Sequence, residues 1–195
     1  MSERAARRPD AELTDPTPAA SPLVRGLRAV GQALIRLPRW AGVVLTLAWA
    51  GTIYLISDST NPLPVAPPVP LFVNNLAHAP LFGFLGFLAL VALPRRSQPL
   101  RWPAIDARAW LVILLGTLAY ALFDEWHQSW VPGRHASLGD VLTDLTGAAC
   151  VLWVAQGLGR PSLGAQGLLI RLSSGLAACA AAAAIATWVV PAPTG

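Results

Sequence analysis

The sequence predicts an all-α, polytopic transmembrane helix bundle of about five spans. Three observations carry that expectation. Hydrophobic residues make up 54% of the chain and charged residues 12%, with a mean hydropathy of +0.53, whereas soluble domains carry about 25% charge. Five apolar runs of about 18–23 residues stand apart along the chain, each near the roughly 20 residues a helix needs to cross hydrocarbon. Arginines collect in alternate loops between those runs, which is the asymmetry of membrane topology.

The leader, residues 1–38, is basic and proline-rich, without the early apolar core of a cleavable signal. Asp10–Pro22 reads as disordered on composition. Leu23–Leu37 mixes Arg25, Arg28 and Arg36 with apolar residues. Two readings stand for it: an amphipathic helix on the inner leaflet, where arginine meets anionic lipid, or a solvated basic leader.

The runs follow as Trp40–Ser57, Leu71–Leu93, Ala109–Trp130, Leu138–Gln156 and Leu168–Val190. Helix is the expected state of each, because backbone polar groups in lipid must be satisfied within the segment. Asn61–Pro70 between the first two is proline-rich and reads as an extended outer loop. The chain therefore divides into the leader, a membrane domain over 39–156, and a connector with a C-terminal transmembrane helix over 157–195.

All fourteen basic residues are arginine. Seven precede the first run, Arg95, Arg96, Arg101 and Arg108 lie between the second and third, and Arg160 follows the fourth; the first–second loop holds none and the third–fourth loop only Arg134. The positive-inside rule puts the N-terminus in the cytoplasm and the C-terminus outside, in the plasma membrane. Trp40, Trp110 and Trp153 then fall near the inner surface, and Trp126, Trp130 and Trp188 near the outer one, as an aromatic belt requires. The pI near 10 points to no nucleic-acid partner, since the arginines sit in short loops; membrane lipids are the expected surroundings. Cys150 and Cys179 lie inside apolar runs and read as small apolar fillers.

Asp124–Asp140, DEWHQSWVPGRHASLGD, is the densest polar stretch. Ionisable groups at a membrane boundary are costly, and a chain that gathers several is expected to use them. Under the predicted topology four segments deliver polar groups to the outer side. Asp58 ends the first span; Asn74, Asn75 and His78 open the second; Asp124, Glu125, His127 and Gln128 end the third; Arg134 and His135 lie in the loop; Asp140 and Asp144 open the fourth. Asp124 and Gln128, Asn74 and His78, and Asp140 and Asp144 are each four apart, hence on one helix face. Gly83, Gly86 and Gly147 are small enough to let neighbouring helices approach closely.

Structural readings stand beside these. Ser137-x-x-Asp140 matches a capping box, which does not exclude a second role for Asp140. Pro132-Gly133 is a turn signal. Arg134 suits a salt bridge to a carboxylate, His127 a water-facing interfacial position, His78 an interhelical hydrogen bond, and Asp58 an exposed helix end. No metal or cofactor is expected: there is no H-E-x-x-H, no C-x-x-C, no P-loop and no dinucleotide fingerprint.

Glu125, Gln128, Pro132-Gly133-Arg134, Ser137, Asp140 and Gly147 form a pattern, E-x-x-Q, P-G-R, S-x-x-D, then small residues, that resembles the VanZ-like membrane proteins. The family's earlier Asp-Lys pair, with a histidine three residues after the lysine, reads here as Asn74-Asn75 and His78, followed by Phe82-Gly83-Phe84-Leu85-Gly86. The resemblance covers about 40–156. Asp144 falls where the family often carries asparagine. The resemblance implies a small polytopic cell-envelope protein; the founding member is associated with reduced susceptibility to the glycopeptide antibiotic teicoplanin.

Two functions are expected from these residues. The first is recognition of a lipid-linked or amphiphilic small-molecule ligand, such as a glycopeptide-type antibiotic or a cell-wall precursor, at an outer-face pocket of His78, Asp124, Glu125, Gln128, Arg134, Asp140 and Asp144. The alternative is an intramembrane acid/base enzyme acting on a lipid-linked envelope substrate, with Glu125, Asp140 and His78 as its catalytic groups. A proton-linked transporter ranks last, because Asp144 alone approaches the midplane.

Overall fold

A computed structural model describes residues 21–58, 71–96, 101–134 and 136–189. His135, the loop 61–70 and the leader up to residue 20 lie outside the described residues. The described chain forms α1 (Pro22–Leu34), α2 (Arg39–Ser57), α3 (Leu71–Ala92), α4 (Ala107–Gln128), α5 (Leu138–Leu158) and α6 (Ala165–Trp188), with a two-stranded ladder of β1 (Arg95–Arg96) and β2 (Trp102–Pro103) between α3 and α4. The five helices α2–α6 are each long and apolar enough to cross a membrane. The expected spans thus stand, with ends moved by a few residues. The third span stops at Gln128, because residues 129–133 turn away, and the fifth begins at Ala165 rather than Leu168.

Local chemistry fixes the helix starts. Asp106 Oδ1 accepts the Ala109 N–H at 2.9 Å and opens α4, and Ser137 Oγ accepts the Gly139 N–H at 3.1 Å and opens α5; such caps satisfy amides that have no partner inside the helix. Gly133 takes φ +81° and reverses the chain between the two helices, a left-handed conformation that favours glycine.

Helices α3 and α5 form the most extensive contact, and small residues make it possible. A Cβ on Gly147 would collide with the Ala79 backbone, and one on Gly83 would meet the Gly147 carbonyl at 3.3 Å. Close backbone approach is what small residues give to helices in lipid. α6 is not a loose addition: it packs on both α5 and α3, and Gly139 abuts Ala186.

The bundle has two chemically different ends. At one, Arg39 Nε donates to the Ala92 carbonyl at 2.9 Å, Arg95 donates to the Leu37 carbonyl at 2.7 Å, and Arg28 of α1 donates to the carbonyls of Leu158 and Arg160. Those last acceptors are carbonyls left over at the end of α5, which a cation suits. Trp102 is buried here, under α1 and against Gly159, and donates to the Ala155 carbonyl at 2.8 Å. Hydropathy and spacing predict neither this plug nor the β ladder. At the opposite end lie Ser57, Leu71, Gln128, Leu138 and Trp188. Trp126, Trp130 and Trp188 are exposed at this end and Trp40 at the arginine end, consistent with two aromatic belts.

Candidate functional site

The polar residues singled out in the sequence gather at the end away from the arginine loops. Asp124, Glu125, Gln128, Asp140 and Asp144 are all buried, and the His78 side chain is 12% exposed. Burial follows from facing neighbouring helices, since Leu122 and Phe123 lie deeper on α4 than Asp124 and are exposed. Asp144 lies six residues into α5, about 9 Å along the axis at 1.5 Å per residue. One turn deeper on α3 and α4, Phe82 and Ala121 close the interior side as part of an apolar cluster with Ile53, Leu85 and Val141.

His78 is the centre of the arrangement. Its Nδ1 lies 3.1 Å from Asp144 Oδ1 and its Nε2 lies 4.0 Å from Asp140 Oδ2. One imidazole therefore spans two carboxylates stacked a turn apart on α5. The turn spacing was legible in the sequence; the meeting with α3 was not. It depends on the Ala79–Gly147 contact, which holds α3 and α5 close just beyond the pair.

Glu125 enters from α4. Its Oε2 accepts the Ser137 backbone N–H at 2.5 Å. The expected capping box gives that N–H to Asp140. Glu125 takes it instead, and Asp140 turns to His78. His78, Glu125 and Asp144 each offer one donor atom, all within 4.8 Å of one another.

Other predicted residues take separate places. Asp124 accepts the Gln128 side-chain N–H at 2.9 Å, a contact within one face of α4. Arg134, half-buried at the rim, donates to the Ile56 carbonyl at 3.0 Å and lies near enough to Asp140 to act on it electrostatically. His127 pairs with Asp58 at 3.3 Å and lies tilted against the Tyr54 ring, at the boundary and apart from His78. Asp58 is thus the expected exposed helix end, whereas His127 is largely covered and is not the water-facing group the sequence suggested. The two asparagines divide: Asn74 is exposed, whereas Asn75 is buried and donates to Thr187 of α6 at 3.1 Å. The sequence reading missed Thr187; its one signal is a hydroxyl in an otherwise apolar helix end.

An open apolar groove of about 980 Å³ runs along α3 from Val73 to Val91, walled by α1, α5 and α6. None of the polar site residues lines it. At about 100° per residue, His78 projects from the opposite face of α3 to Val73, Pro80 and Phe87. The polar groups are thus packed among helices, on the side of α3 away from this groove.

No curated protein and no solved structure matches the chain. The family model described as VanZ/LLP1 matches residues 30–159. That match takes in the whole of the first four spans, and with them His78, Glu125, Gln128, Arg134, Asp140 and Asp144. Five membrane-length helices, the E-x-x-Q and P-G-R elements at the mouth of the bundle, and the extent of that match agree on one assignment: this chain belongs to the VanZ/LLP1 family.

Proposed function

We propose that this membrane protein sits in the plasma membrane with its N-terminus in the cytoplasm and its C-terminus outside. The His78–Glu125–Asp140–Asp144 end then faces outward, where it recognises a lipid-linked or amphiphilic envelope ligand, such as a glycopeptide-type antibiotic or cell-wall precursor. The observation that carries the reading is convergence. Three helices bring an imidazole and three carboxylates to one depth, at the end opposite the arginine loops. Arg134 at the rim supplies a guanidinium suited to a ligand phosphate or carboxylate. Asp124 and Gln128 stiffen the neighbouring turn of α4.

The test is susceptibility. Cells producing Arg134→Ala or Glu125→Ala are expected to lose any glycopeptide or lipoglycopeptide protection that the parent gives. If both variants reach the membrane normally and protect as well as the parent, the reading fails.

The 3.1 Å contact between His78 and Asp144 favours a second reading, an intramembrane acid/base enzyme with Glu125, Asp140 and His78 as its working groups. Turnover discriminates the two. Purified protein incubated with lipid-carrier intermediates releases a product under the second reading, and only retains lipid under the first.

A further inference from the structure

We propose that His78 of α3, Glu125 of α4 and Asp144 of α5 form a divalent-cation site, with Asp140 beside it. The sequence pattern argues against metal, because no local motif supplies ligands at a metal spacing. In the fold the ligands come from three separate helices, so no local spacing exists to be read.

Three observations carry the inference. The first is geometry. The three donor atoms lie within 4.8 Å of one another. With bonds of about 2.1 Å, opposite donors of an octahedral ion stand about 4.2 Å apart and neighbouring donors of a tetrahedral ion about 3.4 Å, so modest side-chain shifts close the set. The 3.1 Å between His78 Nδ1 and Asp144 Oδ1 already matches two neighbouring donors on a single ion with bonds of roughly 2.1 Å.

The second is the unmet demand of buried oxygens. Asp144 is fully buried, and its Oδ2 has no hydrogen-bond partner; Glu125 Oε1 and Asp140 Oδ1 are in the same state. Buried polar atoms are nearly always partnered, and a bound ion is one of the few things that accounts for three unpartnered carboxylate oxygens in one cluster.

The third is charge. Asp124, Glu125, Asp140 and Asp144 are four buried carboxylates. Among the described residues, the His78 imidazole faces Asp140, Asp144 and Glu125, Arg134 at the rim acts on Asp140, and Asp124 is held by the neutral Gln128. Charges removed from water need partners or a metal, and a divalent ion supplies two positive charges at one point.

The donor set narrows the ion. Imidazole with carboxylates suits Zn²⁺ or Mn²⁺; an all-oxygen cage suits Ca²⁺ or Mg²⁺, and thiolates select softer ions. Cys150 and Cys179 lie side by side on α5 and α6, away from this cluster. The site stands whichever ligand the protein recognises, since all three observations concern the buried side chains themselves.

Full-length protein, purified in detergent and stripped with chelator, is dialysed against micromolar Zn²⁺ or Mn²⁺ and counted by elemental mass spectrometry. About one ion per chain is expected, with a higher melting temperature than the stripped protein. His78→Gln, Glu125→Gln and Asp144→Asn are each expected to lose the ion, and Asp58→Asn, in the peripheral pair with His127, to keep it. Should those variants not fold, electron spin-echo measurements on Mn²⁺-loaded parent still decide, by the coupling of an imidazole nitrogen to the ion. Substoichiometric metal in the parent, equal binding by the cluster variants, or no nitrogen coupling overturns the proposal. A parent that binds no metal yet protects cells overturns this site and leaves the recognition reading standing.

Discussion

The backbone N–H of Ser137 donates to the carboxylate of Glu125 and not to that of Asp140. The start of α5 is therefore tied to the end of α4 by a side chain twelve residues earlier. This bond caps a helix and frees Asp140 to face His78. Glu125→Gln keeps an acceptor oxygen for that N–H, whereas Glu125→Ala orphans a buried donor, which costs about 1–3 kcal/mol. In chelator-treated detergent samples, the alanine variant is expected to unfold well before the glutamine variant. Equal melting temperatures contradict the cap.

Gly147 is the second point of control. The Ala79 backbone occupies the space a Cβ would need. Gly147→Val must push α3 from α5, and overpacking of this kind costs about 1–3 kcal/mol or more. Loss of folded protein in detergent is the expected result, with Gly116→Val as the comparison, because Gly116 has open space around it. Equal tolerance of the two substitutions argues against the close α3–α5 contact.

Cys150 and Cys179 report on α6. Their sulfurs lie 3.9 Å apart across α5 and α6, and a disulfide brings two sulfurs to about 2.05 Å. Mild oxidation is expected to link them, seen by mass spectrometry of a non-reduced digest. A digest in which the two thiols stay separate after oxidant treatment contradicts the register of α5 on α6.

Sidedness is a fourth expectation. In a background of Cys150→Ala and Cys179→Ala, Pro132→Cys and Arg96→Cys place thiols at exposed positions on opposite ends of the bundle. An impermeant maleimide is expected to label residue 132 in intact cells and residue 96 only after permeabilisation. The reverse pattern overturns the outward placement of the site.

Much of this protein is readable along the chain. Hydropathy located all five spans, because transfer into lipid is a property of each segment alone. Arginine spacing separated the two ends, and the structure keeps Arg39, Arg95, Arg101, Arg108 and Arg160 at the end away from Glu125 and Asp140. The E-x-x-Q and P-G-R elements marked the family.

The rest was decided by packing. Helical period says that Asp140 and Asp144 share a face, but not which neighbour that face meets. That choice depends on how far each helix is rotated and how closely small residues let it approach, and both are set jointly by residues from several spans. Ala79 against Gly147 brings His78 to Asp144; Ser137 reaching Glu125 releases Asp140; Thr187 of α6 takes up Asn75; Asp58 draws His127 away from the cluster. The sequence set which groups lie at one depth, since depth follows from position within a span. The assembled bundle alone determined which of them touch, since contact requires two helices to agree on rotation and distance at once.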